Sequence, residues 1–131
     1  MTPPIERRAT RSHRLGVSHA AFLRDYWQKH PLLVRGAFPG FTSPISPDEL
    51  AGLSCEEGAL ARLIVHQARG DRWQVRTGPF PEDVFTTLPE RDWTLLVQDV
   101  DKWDPDVAAL LEHFAFLPRW RIDDIMVSFA A

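Results

Sequence analysis

Two runs near the middle of the chain, residues 60–67 (LARLIVHQ) and 72–77 (RWQVRT), are separated by Ala68, Arg69, Gly70 and Asp71. Both runs are rich in residues that suit a pleated surface, and a glycine sits in the link, so the pair reads as a β-hairpin. Side chains alternate along a strand, which sets Trp73 and Val75 on one face of the second strand and Arg72, Gln74 and Arg76 on the other. A lone hairpin is marginal in water, so neighbouring segments must extend it and cover it. Residues 93–100 (WTLLVQDV) supply a buried-strand candidate, and residues 120–129 read as a final strand. Leu32, Leu33 and Val34 form a shorter one.

The helices are marked by their ends. Ser18 can cap a helix through Phe22, Leu23, Tyr26 and Trp27, with Pro31 stopping it after Gln28, Lys29 and His30. Ser46, Pro47 and Glu49 give an N-cap, a proline at the first position and a glutamate at the third, which starts a helix over 47–54. Asp104 and Pro105 repeat the device for a helix to Leu117, with Val107, Leu110, Leu111 and Phe114 as its buried stripe, and Pro118 ends it. Residues 36–43 are a loop, Pro79 and Pro81 break the sheet, and residues 81–88 can make a helical turn.

A chain of 131 residues fits one domain and can bury roughly two-thirds of the surface that its unfolded form exposes. Its net charge of −3 is unevenly spread. Residues 1–35 hold seven Lys and Arg against two acids, and residues 36–131 hold eight against sixteen. Residues 1–17 lack periodicity and read as a basic flexible tail. The acidic body suits a basic partner and argues against nucleic acid. Cys55 is alone, which excludes an internal disulfide and a cysteine zinc site and points to a reducing cytoplasm. No run is long and apolar enough for a membrane span, and Arg7 and Arg8 precede no apolar signal segment.

Chemistry is sparse. An iron facial triad starts from His-x-Asp or His-x-Glu. His13, His19, His30, His66 and His113 are followed by Arg-Leu, Ala-Ala, Pro-Leu, Gln-Ala and Phe-Ala. No zinc helix, phosphate loop or nucleophile elbow is present. His66, on a strand beside Gln67, reads as a hydrogen-bonded structural histidine. Asp99, Asp101, Asp104 and Asp106 surround Trp103 without the spacing of a calcium loop, and read as caps and a solvated turn. Asp123 and Asp124 stand inside the apolar final strand. By parity Asp124, Met126 and Ser128 share one face, which has the character of a site wall, while Asp123, Ile125, Val127 and Phe129 share a core face.

Taken in order, FLRDYWQKHPLLVRGAF (22–38), SPISPDELAGL (43–53), WQVRTGPF (73–80), WTLLVQDVDKW (93–103) and LPRWRIDDIMVSFAA (117–131) resemble the N-terminal part of the bacterial ribosomal oxygenases, which are cupin-fold, JmjC-type proteins. The resemblance covers residues 18–131. It implies an α+β fold, a helix and strand subdomain with an incomplete jelly-roll barrel. It implies for the full-length family an Fe(II)- and 2-oxoglutarate-dependent hydroxylation of an arginine in a large-subunit ribosomal protein. The family's His-x-Asp motif, distal histidine and cosubstrate-gripping residue have no counterpart in these residues, so no catalytic, metal or cofactor ligand carries over. Asp124, Met126 and Ser128 match the strand that lines the family's active-site barrel, and His66, Trp73 and Phe80 match positions read as packing. The expectation is a segment cut before its metal site and inactive alone, with self-association through an exposed C-terminal strand. The other expectation is an interaction module that binds a basic ribosomal protein without chemistry.

Overall fold

In the computed structural model, which describes residues 3–131, the chain divides into two compact units, Met1–Thr42 and Ser43–Ala131. In the first, β1 (Ile5–Arg8) pairs in parallel with β2 (Leu32–Arg35), Ile5 opposite Leu32 and Arg8 opposite Arg35. Glu6 and Arg35 form an ion pair across this ladder. Residues 5–8 fall within the span that sequence alone reads as a tail, and they are a strand instead. Nearby packing is close as well, because a Cβ on Gly16 would lie 2.7 Å from the Arg8 carbonyl oxygen, and Gly16 has φ +70. Pairing with β2, 27 residues further along the chain, supplies the order that local periodicity does not show.

Between the two strands, Ser18 caps as expected, its Oγ accepting the Ala21 N–H at 3.1 Å. The helix is shorter than the sequence suggests: α1 is His19–Ala21, followed by a wider π turn over Phe22–Tyr26 in which the Trp27 N–H reaches the Phe22 carbonyl. Gln28 then takes a left-handed conformation, φ 63, and Lys29 and His30 both donate to the Tyr26 carbonyl. The chain has therefore left the helix before Pro31 can end it. Tyr26 is buried, with the Phe22 ring stacked 6.4 Å away.

The second unit holds a four-stranded antiparallel sheet in the order β4, β3, β5, β6, formed by β3 (Leu60–Gln67), β4 (Arg72–Thr77), β5 (Trp93–Gln98) and β6 (Val127–Ala130). The β3–β4 hairpin is as expected, with Gly70 (φ 86) and Asp71 (φ 46) making the turn. Before the sheet, α2 (Pro47–Leu53) starts on a complete capping box: Glu49 N–H donates to Ser46 Oγ, and Ser46 N–H donates to the Glu49 carboxylate at 2.7 Å. That backbone hydrogen bond holds the Glu49 carboxyl below the usual carboxylate value.

One face of the sheet carries the core. Leu63, Leu95 and Val97 on the strands, Leu50 on α2, and Val100 and Val107 beyond β5 are fully buried, with Phe80 and Val84 beside them. Ile125, Val127 and Phe129 pack against the same cluster. Ser54, buried among these groups, is satisfied by donating to the Ala51 carbonyl at 2.6 Å. Asp104 caps α3 (Pro105–Ala109), its Oδ1 accepting from the Asp106 and Val107 N–H groups. The α-helix predicted to reach Leu117 tightens at Leu110 into a 3₁₀ segment that ends at Phe114, so the stripe turns off the core and Phe114 is 37% exposed. No helix among the described residues is long and apolar enough to cross a membrane.

Candidate functional site

The final strand begins later than its sequence suggests. Arg119–Arg121 is a 3₁₀ turn, residues 122–126 run without a ladder partner, and only Val127–Ala130 join the sheet. A local apolar pattern cannot show where pairing with β5 begins. The approach is held instead by three hydrogen bonds to the turn that leaves β5. The Asp99 N–H donates to Asp124 Oδ2 at 2.8 Å, the Ile125 N–H donates to Asp101 Oδ1 at 2.9 Å, and the Val100 N–H donates to the Ile125 carbonyl at 3.0 Å.

Asp99 sits at φ 57, a left-handed conformation that a short polar residue tolerates better than a branched one. Its carboxylate receives the Lys102 ammonium at 2.5 Å, which raises the Lys102 pKa. The aspartates around Trp103 are thus caps, ion-pair partners and acceptors of backbone N–H groups. Asp123, placed on the core face by parity, is exposed, because the chain has not yet entered the ladder where parity would govern it.

From Ile125 onward the alternation holds. Ile125, Val127 and Phe129 pack on the core, while Met126 is 53% exposed and Ser128 is exposed. Register extends the Ser128 face across the sheet. Ser128 pairs with Leu96, Leu96 with Arg62, and Arg62 with Thr77. The next row is Ala130, Thr94, Ile64 and Val75. Val75 and Leu60 are 59% and 55% exposed, which leaves this face of the second unit uncovered. Arg62 lies within it, donating to Gln98 Oε1 at 3.3 Å. Sequence reasoning singled out only the β6 portion of the face. Period-two alternation was read along β4 and β6, but the register that joins those strands through β3 and β5 was not.

The remaining candidates have structural partners. His66 Nε2 lies 2.9 Å from Asp71 Oδ1, and its ring stacks on Trp73 at 4.2 Å, so it braces the hairpin end. Trp73 is otherwise 65% exposed, whereas Phe80 is core. The half-buried Cys55 thiol donates to the Ala51 carbonyl. Among the described residues no three His, Cys, Asp or Glu side chains converge as a metal donor set. Asp101 and Asp124 already accept backbone N–H groups.

An antiparallel sheet packed on one face, open on the other and not closed into a barrel defines an α+β segment with one wall of a sandwich or barrel. No family model matches the chain, but individual relatives do. It is 45% identical over 118 residues to the ribosomal protein uL16 3-hydroxylase of Escherichia coli strain K12, covering 90% of this chain and 31% of that protein. It is 42% identical over 109 residues to a probable ribosomal oxygenase of Haemophilus influenzae, covering 83% of this chain and 26% of that protein. The structure of the ribosomal oxygenase YcfD from Escherichia coli superposes with a TM-score of 0.80 at 46% identity, over 88% of this chain and 31% of that one. The same oxygenase has been solved with cobalt and 2-oxoglutarate. The chain matches the N-terminal segment of the bacterial ribosomal oxygenases, and spans about a third of the length of the relatives just described.

Proposed function

We propose that residues 18–131 supply the N-terminal wall of an Fe(II)- and 2-oxoglutarate-dependent cytoplasmic hydroxylase that acts on an arginine of ribosomal protein uL16. The observation that carries this reading is the match of nine-tenths of the chain, at 45% identity, to a uL16 3-hydroxylase. In this reading Asp124, Met126 and Ser128 line the substrate side of the wall. A carboxylate there attracts a guanidinium, and the Met126 side chain packs along its aliphatic stem. Iron would activate dioxygen and 2-oxoglutarate would supply two electrons, and in this reading the donors that hold them are supplied from outside residues 18–131.

The purified 131-residue chain is expected to form no succinate from 2-oxoglutarate with Fe(II) and ascorbate; formation above a metal-free control would overturn the reading. The complementary experiment replaces the matched segment of the Escherichia coli uL16 hydroxylase with residues 18–131. The chimera is expected to hydroxylate uL16, and Asp124→Asn in it to lower kcat/KM about tenfold, chiefly through KM for the substrate, the loss of about 1.4 kcal/mol from a charge-assisted contact. An inactive but folded chimera argues against it.

A second reading is favoured by the open face. Edge strands template further pairing, and β6 is an edge of its sheet among the described residues. We propose that the chain self-associates through β6 and the apolar face beside it. Sedimentation should show dimers that grow with concentration, and Ser128→Lys should reduce them; a monomer across the micromolar range would exclude this mode.

A further inference from the structure

The α3 side of the second unit carries a groove that neither reading uses. It has a volume of about 840 Å³ and lies between the 105–115 segment and residues 117–123. Its floor is apolar: Ala108, Leu111, Leu117 and Ile122 line it and remain only half-buried. Its rim is acidic. Asp101, Glu112 and Asp123 border it against a single cation, Arg119. Nearby positive charge is already engaged, since Lys102 binds Asp99 and Arg121 lies 5.0 Å from the Trp120 ring centroid.

The groove is also built rather than incidental. Asp104 fixes the start of α3 through two backbone N–H groups, and Asp101 fixes the segment that follows residues 117–123 by accepting the Ile125 N–H. One Asp101 oxygen is spent on that bond, and Glu112 and Asp123 stand exposed with no partner of opposite charge among the described ion pairs. Lys102, bonded to Asp99, also lies within electrostatic reach of Asp101 and Asp123, which leaves Glu112 as the rim acid with no cation named against it. An apolar floor under a rim of three acids and one lining cation still discriminates by charge. An acidic or neutral apolar segment would leave the carboxylates unpaired, while a basic and apolar one satisfies both surfaces.

We propose that this groove docks a short peptide segment in which lysine or arginine alternates with large aliphatic side chains. The aliphatic groups fill the floor, and the cations sit between Glu112 and Asp123. The site is separate from the open sheet face, so it can hold a basic protein partner independently of any hydroxylation at the Asp124 wall.

The test uses the full 131-residue chain and the fluorescent peptide acetyl-Leu-Lys-Leu-Arg-Leu-amide, followed by anisotropy and by backbone amide shifts. Micromolar binding is expected, with shifts centred on residues 108–123. Raising salt from about 50 to about 200 mM should weaken it roughly threefold to tenfold, as expected of exposed charge pairs. Glu112→Gln with Asp123→Asn should weaken it about tenfold. Ala115→Trp, which fills the groove from an exposed position without touching the core, should abolish it. Equal binding of a peptide with serine for leucine would show charge attraction alone and overturn the proposal. So would binding that survives both variants, shifts confined to the sheet face, or loss of self-association in Ala115→Trp, which would make the occupant a second copy.

Discussion

Leu63→Ala is expected to destabilise the second unit by about 3 kcal/mol, within the 2–5 kcal/mol typical of removing a fully buried leucine side chain. Leu63 has no exposed surface and lies opposite Leu95 on β5, within the cluster that includes Val97, Val100 and Val107. Neighbours on two strands and two helical segments cannot all collapse into the space left behind. The melting temperature of a unit this size should fall by roughly 12–24 °C. The paired control is Leu60→Ala, three residues earlier on the same strand. Leu60 is 55% exposed on the open face, and its truncation should cost under about 1 kcal/mol. Similar losses for the two variants, read by thermal and urea melts, would mean that the core does not lie on the Leu63 face.

Asp124→Ala is expected to cost about 1–3 kcal/mol, because it leaves the half-buried Asp99 N–H without the acceptor 2.8 Å away. The turn it supports is already unfavourable, with Asp99 in a left-handed conformation. Asp124→Asn keeps an oxygen in place and should lose less than half as much, while Met126→Ala, on the exposed neighbour, should lose little. Amide exchange at Asp99 and Ile125 gives the local readout. The bond tying Ile125 to Asp101 remains in the variant, so exchange should rise more at Asp99. Wild-type stability and exchange in Asp124→Ala would show that the hydrogen bond contributes nothing. The result bears on function too. A carboxylate held by a backbone N–H has a fixed position, and the proposed wall needs such a group.

The same residue shows how far the sequence could be read. Asp124, Met126 and Ser128 were grouped by parity, and the exposure of Met126 and Ser128 beside core-packed Ile125, Val127 and Phe129 follows that grouping. Parity said nothing of Asp99, which lies 25 residues away and supplies the bond that positions Asp124. It also misplaced Asp123, because alternation was carried back into a segment that no strand partners. Likewise the partner of β1 lies across the whole α1 region, so residues 5–8 looked like tail.

What the sequence determined by itself lies within a few residues of each signal. The Ser18, Ser46 and Asp104 caps, the proline after two of them, the hairpin turn at Gly70 and Asp71, and the likeness to the ribosomal oxygenases were all legible. A cap or a turn is closed by atoms that are neighbours in the chain, so composition at fixed offsets suffices. Tertiary structure alone decided the order β4, β3, β5, β6, the join of Asp99 and Asp101 to residues 124 and 125, the parallel pairing of residues 5–8, and the shortening of both predicted longer helices. Those choices depend on contacts between segments tens of residues apart, where the gain from pairing and burial outweighs local propensity.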